Sequence, residues 1–334
     1  MLSPRTFVFP ADHGPHPEYR QEWWYTTGNL AADDGERFGF ELTFFRFALA
    51  PPGTSPPGDS AWRAREIYMA HFAVTDPQRG RFRFAQQLSR AALGLAGAQG
   101  APLKVWLGDW YLMADPLDAQ HWRLHAAGDD YGLDLQLQVS AAPVLNGVAG
   151  LSVKSGAPGD ASYYYSLPRV AVRGQLRRAG AALPVAGLAW VDREWGSGGL
   201  GAQQVGWDWF GLQLNDGSAL MFYALRSASG TRDPHSAGTF TDAAGTAQPL
   251  SAGAVAIEVT RTWKSPAGVR YPGAWRLRAP ALALDVEVTP VLADQELRGP
   301  PRYWEGAVEV RGVRAGRALT GRGYVELVGY PPER

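Results

Sequence analysis

Apolar and polar residues alternate with a period of two over most of the chain. Clear examples are residues 133–139, with the sequence LDLQLQV, and residues 308–311, with the sequence VEVR. Successive side chains of a strand point to opposite faces, so this alternation is typical of antiparallel strands with one buried face. Glycine and proline, which number 40 and 25, separate the runs. The pattern predicts an all-β protein built as a sandwich or as closed antiparallel barrels.

The same series of motifs occurs twice in the same order. Trp24-Tyr25 precedes an Asp34-Gly35 turn, and Trp209-Phe210 precedes an Asp216-Gly217 turn. An Asp-Gly pair between two apolar runs is a strong hairpin signal, because the turn requires a positive φ that glycine adopts readily. Further motif pairs follow in parallel. The last aligns the sequence Trp-Val-Asp at residues 190–192 with Tyr-Val-Glu at residues 324–326.

This repeat predicts two tandem barrel domains, residues 1–200 and 201–334, which divide near residues 196–204. The first copy is longer around residues 86–118, where Leu88 and Leu95 belong to a weakly helical spacing. We therefore expect a short helical insertion in the first domain. A barrel of about eight strands can hold one small apolar ligand in its interior.

Charge and cysteine content remove several classes of function. The chain has 32 basic and 32 acidic residues and no cysteine. No net field favours nucleic acid, and we expect no nucleic-acid partner. Disulfides, thiolate metal sites and a cysteine nucleophile are excluded. Thirteen tryptophans each require a large apolar site and a partner for the indole N–H.

Membrane and leader signals are weak. The longest uncharged stretch, residues 135–153, contains Gln136, Pro143 and Asn146, so we expect no transmembrane segment. No signal peptide is visible before the first apolar run, Phe7–Phe9.

Several familiar catalytic signatures are missing, among them G-x-S-x-G, H-E-x-x-H and the P-loop. Gly196, Gly198 and Gly201 spell G-x-G-x-x-G, but an aromatic strand pattern follows instead of a helix, which favours a linker. His13 and His16, with Glu18 and Glu22, lie in a Pro/Gly-rich loop, and we expect no metal there.

The segment at residues 190–196, WVDREWG, carries the strongest chemical signal. On a strand, Trp190, Asp192 and Glu194 share one face. Burial beside tryptophan raises the pKa of a carboxyl and keeps it protonated near neutral pH, as a general acid requires. The alternative is that Asp192 and Glu194 pair with arginines or face water.

Aromatic residues elsewhere provide candidate ligand contacts. Trp24 and Tyr25 follow Glu22 in one strand, His71 lies further along, and Trp207 and Trp209 follow the linker. The alternatives are that these aromatic residues belong to the core and that His71 makes structural hydrogen bonds.

Several of these motifs together resemble the carotenoid 1,2-hydratase family, which includes the AttH-like proteins. They are E-W-W-Y-x-x-G from residue 22, W-x-D-x-E-x-G from residue 190, W-D-W-F from residue 207 and G-Y-V-E-x-x-G-Y from residue 323. The resemblance covers residues 9–330. It implies two lipocalin-like barrels and acid-catalysed addition of water to a terminal isoprenoid double bond, without a cofactor.

The resemblance also suggests roles for single residues. Asp192 falls at the aspartate of the family, which makes it the Brønsted acid, with Glu194 in support. Trp190 stands where the hydratases have tyrosine. Tyr163 and Tyr165 fall at a His-x-Trp pair and would line the path of the cation with Trp190. The missing histidine places the chain closer to the AttH-like branch.

The leading hypothesis is therefore a hydratase or cyclase that acts on an isoprenoid or other polyene. A non-catalytic lipid carrier that uses the barrel interior, and a pericyclase or isomerase, remain as alternatives. AttH-like relatives are often exported, so a periplasmic or secreted location is expected, and a cytoplasmic location and transient membrane contact stay open.

Overall fold

The computed structural model describes residues 3–50 and 64–333. The first group of strands is β1 (Gln21–Ala32), β2 (Arg37–Ala48), β3 (Glu66–Asp76), β4 (Arg81–Arg90), β5 (Ala96–Gln99), β6 (Lys104–Leu107), β7 (Trp110–Ala114), β8 (His121–Ala127), β9 (Tyr131–Gln138), β10 (Val144–Leu145), β11 (Leu151–Val153), β12 (Ala161–Arg178) and β13 (Ala181–Gly196). The second group is β14 (Gln204–Leu214), β15 (Ala219–Ser227), β16 (Ala237–Thr241), β17 (Ala247–Leu250), β18 (Ala256–Lys264), β19 (Arg270–Ala279), β20 (Leu284–Pro290), β21 (Glu296–Leu297), β22 (Tyr303–Arg314) and β23 (Arg317–Val328). Two 3-10 helices occupy Ala11–His13 and Pro280–Leu282.

The strands form two antiparallel sheets with the same topology. The first has the order β4-β3-β2-β1-β13-β12-β9-β8-β7-β6-β5, with β10 and β11 beside β12. The second has the order β17-β16-β15-β14-β23-β22-β20-β19-β18, with β21 beside β22. Each copy begins with a four-strand meander and returns to its own first strand with its last. The duplicated, nearly all-β architecture predicted from the sequence is confirmed.

Each sheet curls around its own core. In the first, the ring centroids of Phe72 on β3 and Trp110 on β7 lie 5.6 Å apart, which joins distant parts of the sheet. The hydroxyl of Tyr131 on β9 donates to Asp76 on β3 at 3.0 Å. In the second, Phe210 on β14 and Trp275 on β19 lie 5.5 Å apart. These contacts bring each sheet close to a barrel, with large aromatic side chains inside.

A third apolar cluster lies between the two barrels. It consists of residues that point out of both sheets, including Tyr164 and Trp190 from the first and Trp209, Tyr223 and Tyr324 from the second. The outward faces of β1, β12 and β13 are therefore covered by the second barrel. This junction provides the position of the candidate site.

The predicted helical insertion is wrong. Residues 86–118 contain the end of β4 and strands β5 to β7, and no α-helix occurs in residues 3–50 or 64–333. Leu88 pairs with Met69 across the β3–β4 ladder and is 66% exposed, and Leu95 is 51% exposed. The helical spacing covered few residues and had no apolar face to bury, so strand pairing decides the structure.

β14 begins at Gln204, so the G-x-G-x-x-G match precedes a strand, as the linker interpretation requires. Neither short helix of the described residues has the length or hydropathy of a membrane-spanning helix.

Candidate active site

A cavity of about 300 Å³ lies at the junction of the two barrels. Strands β1, β2, β12 and β13 of the first sheet form one wall, and β14, β15, β22 and β23 of the second form the other. The sequence suggested that a barrel interior could hold a ligand, whereas this cavity lies between the barrels. The first barrel interior holds Trp24, Trp110, Trp122 and Trp195, all buried, so the bulk of its aromatic side chains fills that space.

The two faces of β13 explain how the acid residues reach the cavity. Val191 and Trp195 point into the core of the first barrel. Asp192 and Glu194 line the cavity, and Trp190 packs into the cluster between the barrels. The predicted shared face of Trp190, Asp192 and Glu194 is therefore present in the structure.

Asp192 is held by three hydrogen-bond donors. Ser166 Oγ and Trp190 Nε1 donate to Oδ1 at 2.6 and 2.7 Å, and the Tyr164 hydroxyl donates to Oδ2 at 2.6 Å. Asp192 is 6% exposed. Burial raises its pKa to about 7, although the three donors act in the opposite direction. Among the described residues, no lysine or arginine forms an ion pair with Asp192.

Glu194 has a different environment. Its Oε1 lies 3.0 Å from Nζ of Lys154 and also accepts a hydrogen bond from Ser162. Lys154 is the single lysine or arginine that lines the cavity in the described chain, and it lies 4.2 Å from the ring centroid of Tyr223. These contacts hold the Glu194 carboxyl at the cavity, where it is suited to orienting a ligand or to raising the pKa of Asp192.

Two further buried carboxyls line the cavity, Glu41 from β2 of the first barrel and Glu305 from β22 of the second. Glu41 Oε1 accepts hydrogen bonds from Thr43 at 2.9 Å and from Tyr303 at 3.0 Å. Glu305 Oε1 accepts one from Tyr25 at 2.9 Å. The second oxygen of each, Oε2, is buried without a hydrogen-bond partner in the described structure. Burial raises the pKa of Glu41 to about 8 and that of Glu305 well above its usual value, with neighbouring carboxyls adding to the rise.

Glu326 occupies the position of Asp192 in the second copy. Tyr25 pairs with Asp192 across β1 and β13, and Trp209 pairs with Glu326 across β14 and β23. Burial raises the pKa of Glu326 to about 7. The cavity thus brings together two repeat-related acids, one from each barrel.

His71 lies behind the cavity wall. Its Nδ1 is 2.6 Å from the hydroxyl of Tyr303, which in turn donates to Glu41. Nε2 is buried without a partner among the described residues, and burial lowers the pKa of His71 to about 4. A neutral imidazole donates from Nδ1 to Tyr303, so His71 orients that tyrosine and does not line the cavity itself.

Of the predicted aromatic contacts, Tyr25, Trp207 and Trp209 line the cavity. Trp190 contacts Trp209 edge to face with ring centroids 5.8 Å apart, behind Asp192. The Trp209 indole donates to the hydroxyl of Tyr164 at 3.0 Å. These contacts connect the first barrel to the second through aromatic side chains.

Three predicted contacts are placed elsewhere. Trp24, Tyr163 and Tyr165 point into the core of the first barrel, and Tyr165 contacts Trp195 there. The side-chain period of a strand is two, so on β12 it is Tyr164, between the two predicted tyrosines, that faces the cavity. The expected path along Tyr163 and Tyr165 is corrected accordingly.

Glu22, at the start of β1, belongs to a structural network. Its carboxylate accepts from Arg193 Nη2 at 2.6 Å and from Arg46 Nε at 3.1 Å. His16 bridges Glu22 and Asp12 through its two ring nitrogens, at 2.7 and 3.0 Å. Within residues 3–50 and 64–333, no group of three or more histidine, aspartate or glutamate side chains is arranged for a metal ion.

Sequence reasoning missed Glu41, Glu305, Tyr164 and Lys154. Glu41 stands in the apolar run at residues 38–45, FGFELTFF, where a carboxyl is out of place on a buried strand. That anomaly was the available signal. Glu305 lies two residues after Tyr303 in a similar run, but nothing local shows that it meets Asp192, which is distant in the chain.

Comparison with known proteins identifies relatives over the whole chain. The AttH-like family pattern matches residues 1–330. The crystal structure of an AttH from Nitrosomonas europaea superposes with a TM-score of 0.86 and 34% identity, covering 99% of this chain and 100% of the other. Kievitone hydratase from Nectria haematococca has the same fold, with a TM-score of 0.75 and 18% identity over 98% of this chain and 93% of the other.

A curated fungal relative matches over a shorter part of the chain. Dehydratase asqC of Emericella nidulans is 26% identical over 223 residues, which are 62% of this chain and 60% of the fungal protein. The aligned region therefore spans about 60% of that relative. Since the family pattern extends over nearly the whole sequence and the bacterial structure matches from end to end, this chain belongs to the AttH-like family.

Proposed function

We propose that this protein is a cofactor-independent enzyme of the hydratase or dehydratase type, which acts on a small molecule in the cavity between its barrels. One observation carries the proposal: Asp192 lines the cavity, is buried, and has no ion-pair partner among the described residues. A carboxyl whose pKa is about 7 exchanges protons in both directions at neutral pH.

The chemistry follows from that carboxyl. For hydration, Asp192 gives its proton to one carbon of a double bond, and the positive charge develops on the other carbon. The aromatic side chains of Tyr25, Trp207 and Trp209 line the cavity and would stabilise such a cation. Water then bonds to the cation and loses a proton to a carboxylate. Dehydration is the reverse, with Asp192 removing the proton from carbon.

The cavity limits the substrate. Its volume of about 300 Å³ lies at the low end of the range for ligand pockets, so it admits a small molecule or one end of a longer one. Five carboxyls and one lysine line it, which disfavours anionic substrates: Glu41, Asp192, Glu194, Glu305, Glu326 and Lys154. Aromatic walls favour an apolar body. We propose the end of an isoprenoid or polyene, in alkene or alcohol form.

Two relatives support a lyase type of reaction. The curated fungal protein is named a dehydratase, and the protein that shares the fold over nearly its full length is named a hydratase. Addition and removal of water are therefore activities found among relatives and on this fold. The residues that perform them here are proposed from the geometry of this chain.

The test is an incubation of the purified protein with linalool, geraniol, nerolidol and farnesol, followed by mass spectrometry. We expect gain or loss of one water with at least one compound, and no turnover by Asp192→Asn. Asp130→Asn, at an exposed position paired with Arg83, is the matched control and keeps full activity. Recovery of every compound unaltered, or rearrangement without change in mass, contradicts the proposal and favours the carrier or the isomerase respectively.

A further inference from the structure

The carboxyls that line the cavity differ in their hydrogen bonding. Both oxygens of Asp192 accept hydrogen bonds, from three donors in all. Glu305 and Glu41 each have one oxygen that is buried without any donor in the described structure. The difference is one of geometry and exists although all three side chains line the same cavity.

A buried carboxylate oxygen without a donor raises the free energy of the folded protein. Its charge has lost the hydrogen bonds of water, and no protein donor replaces them. A proton on that oxygen removes the charge and converts the atom into a donor. Asp192 has the environment of an ionised group, and Glu305 has that of a neutral acid. Three further carboxyls also favour the neutral form of Glu305: Glu41 from β2, Glu326 from β23 and Asp192 from β13.

The internal repeat reinforces the contrast. Ser166 pairs with Asp192 across β12 and β13, and Glu305 pairs with Glu326 across β22 and β23. Ser166 and Glu305 are therefore equivalent positions. In the first copy this position donates a hydrogen bond to the acid beside it. In the second copy it holds another carboxyl, so two acids stand side by side and favour retention of a proton.

We propose that Glu305 carries a proton on Oε2 in the resting protein and exchanges it with the oxygen of the substrate, while Asp192 exchanges a proton with carbon from the facing wall. The inference rests on the proposed function and assigns the second proton-transfer group of that reaction. Tyr25 fixes Glu305 by donating to Oε1 at 2.9 Å, which leaves Oε2 for the proton.

The proton balance is complete without another reagent. In dehydration, the Asp192 carboxylate takes a proton from carbon. The electron pair of that C–H bond forms the double bond, and the C–O bond breaks. Glu305 gives its proton to the departing oxygen, which leaves as water. Asp192 ends neutral and Glu305 ionised, and exchange with solvent restores the resting state. Hydration runs through the same steps in reverse.

Infrared spectroscopy at mildly alkaline pH tests the resting proton directly, with no substrate. We expect a carboxylic acid C=O band that weakens in Glu305→Gln and is unchanged in Glu309→Gln, a half-buried glutamate of the same strand paired with Arg37. Isotopic labelling of glutamate in the unmodified protein shifts the band, whereas labelling of aspartate does not. A band unaffected by Glu305→Gln, or shifted by aspartate label alone, overturns the inference.

A second measurement tests the role in turnover. With an alcohol that the protein dehydrates, Glu305→Gln loses activity, but it retains turnover of the corresponding chloride, which leaves without a proton. Asp192→Asn loses both, after correction for spontaneous elimination. Equal losses for alcohol and chloride in Glu305→Gln overturn the assigned role. A protein inert toward every compound, yet with the Glu305 band present, contradicts the proposed function and leaves the resting proton established.

Discussion

Asn29 and Gln213 make the same contact in opposite directions across the junction of the barrels. Asn29 Nδ2 donates to the carbonyl of Gly323 at 3.2 Å, and Gln213 Nε2 donates to the carbonyl of Ala189 at 2.9 Å. Gly28 pairs with Ala189, and Leu212 pairs with Gly323. The donors and the acceptors therefore occupy equivalent positions in the two copies. The barrels meet through an approximate twofold relationship.

Removal of these amides will destabilise the protein unequally. Gln213 also donates to the carbonyl of Pro168 at 2.7 Å, whereas Asn29 has one such bond. We expect a loss in the free energy of unfolding of about 1 kcal/mol for Asn29→Ala and about 2 kcal/mol for Gln213→Ala. Urea unfolding measures both, with exposed Gln136→Ala as control. Equal losses would show that the second bond contributes nothing.

Glu22 will make stability depend on acid pH. Burial acts to raise its pKa, but Arg193 and His16 outweigh burial and bring the pKa down from 4.5 to about 2. The folded state therefore favours the carboxylate, and the stabilisation is present above pH 4.5 and lost as pH falls towards 2. At neutral pH we expect Glu22→Gln to lower the free energy of unfolding by about 3 kcal/mol, because buried Arg193 loses its charged partner. Urea unfolding at a series of pH values checks this. A difference from the unmodified protein that does not shrink below pH 4.5 contradicts it.

Glu326 will make stability depend on pH in the opposite direction from Glu22. Its pKa is raised from 4.5 to about 7 in the folded state, so the protonated form is favoured. The resulting stability is present below pH 4.5 and is lost as pH rises through 7. Glu326→Gln should therefore equal the unmodified protein at pH 4.5 and exceed it above pH 7, by up to about 3 kcal/mol. Thermal unfolding across this range measures the gap, and Glu309→Gln should show none.

Tyr25→Phe tests the positioning of Glu305. The hydroxyl of Tyr25 favours the ionised form of Glu305, so its removal raises the pKa of that carboxyl further. We expect kcat to fall about tenfold, corresponding to about 1.4 kcal/mol, with KM nearly unchanged. The alkaline limb of the pH–rate profile should move to higher pH. Tyr131→Phe, which loses a bond to Asp76 inside the first barrel, leaves that limb in place.

Two local features of the sequence predict the fold: the alternation of apolar and polar residues along strands and the order of the turns. The sequence also placed Asp192 and Glu194 together, since residues two apart share a face. It did not show which face of β12 points outward, so the prediction names Tyr163 and Tyr165, whereas Tyr164 faces the cavity. The meeting of Asp192 with Glu305 depends on the docking of two barrels, and the position of Glu41 near Asp192 depends on the pairing of β2, β1 and β13, and no local pattern encodes either.

Each barrel contains its own apolar core, and the cavity uses only side chains that point away from those cores. Substitutions on these outward faces can alter the chemistry of the cavity without disturbing the interior of either barrel. Ser166 and Glu305 illustrate this freedom, since equivalent positions hold an alcohol in one half and an acid in the other. A chamber formed between duplicated halves can thus acquire chemically unlike walls, which a symmetric pair of identical chains cannot do.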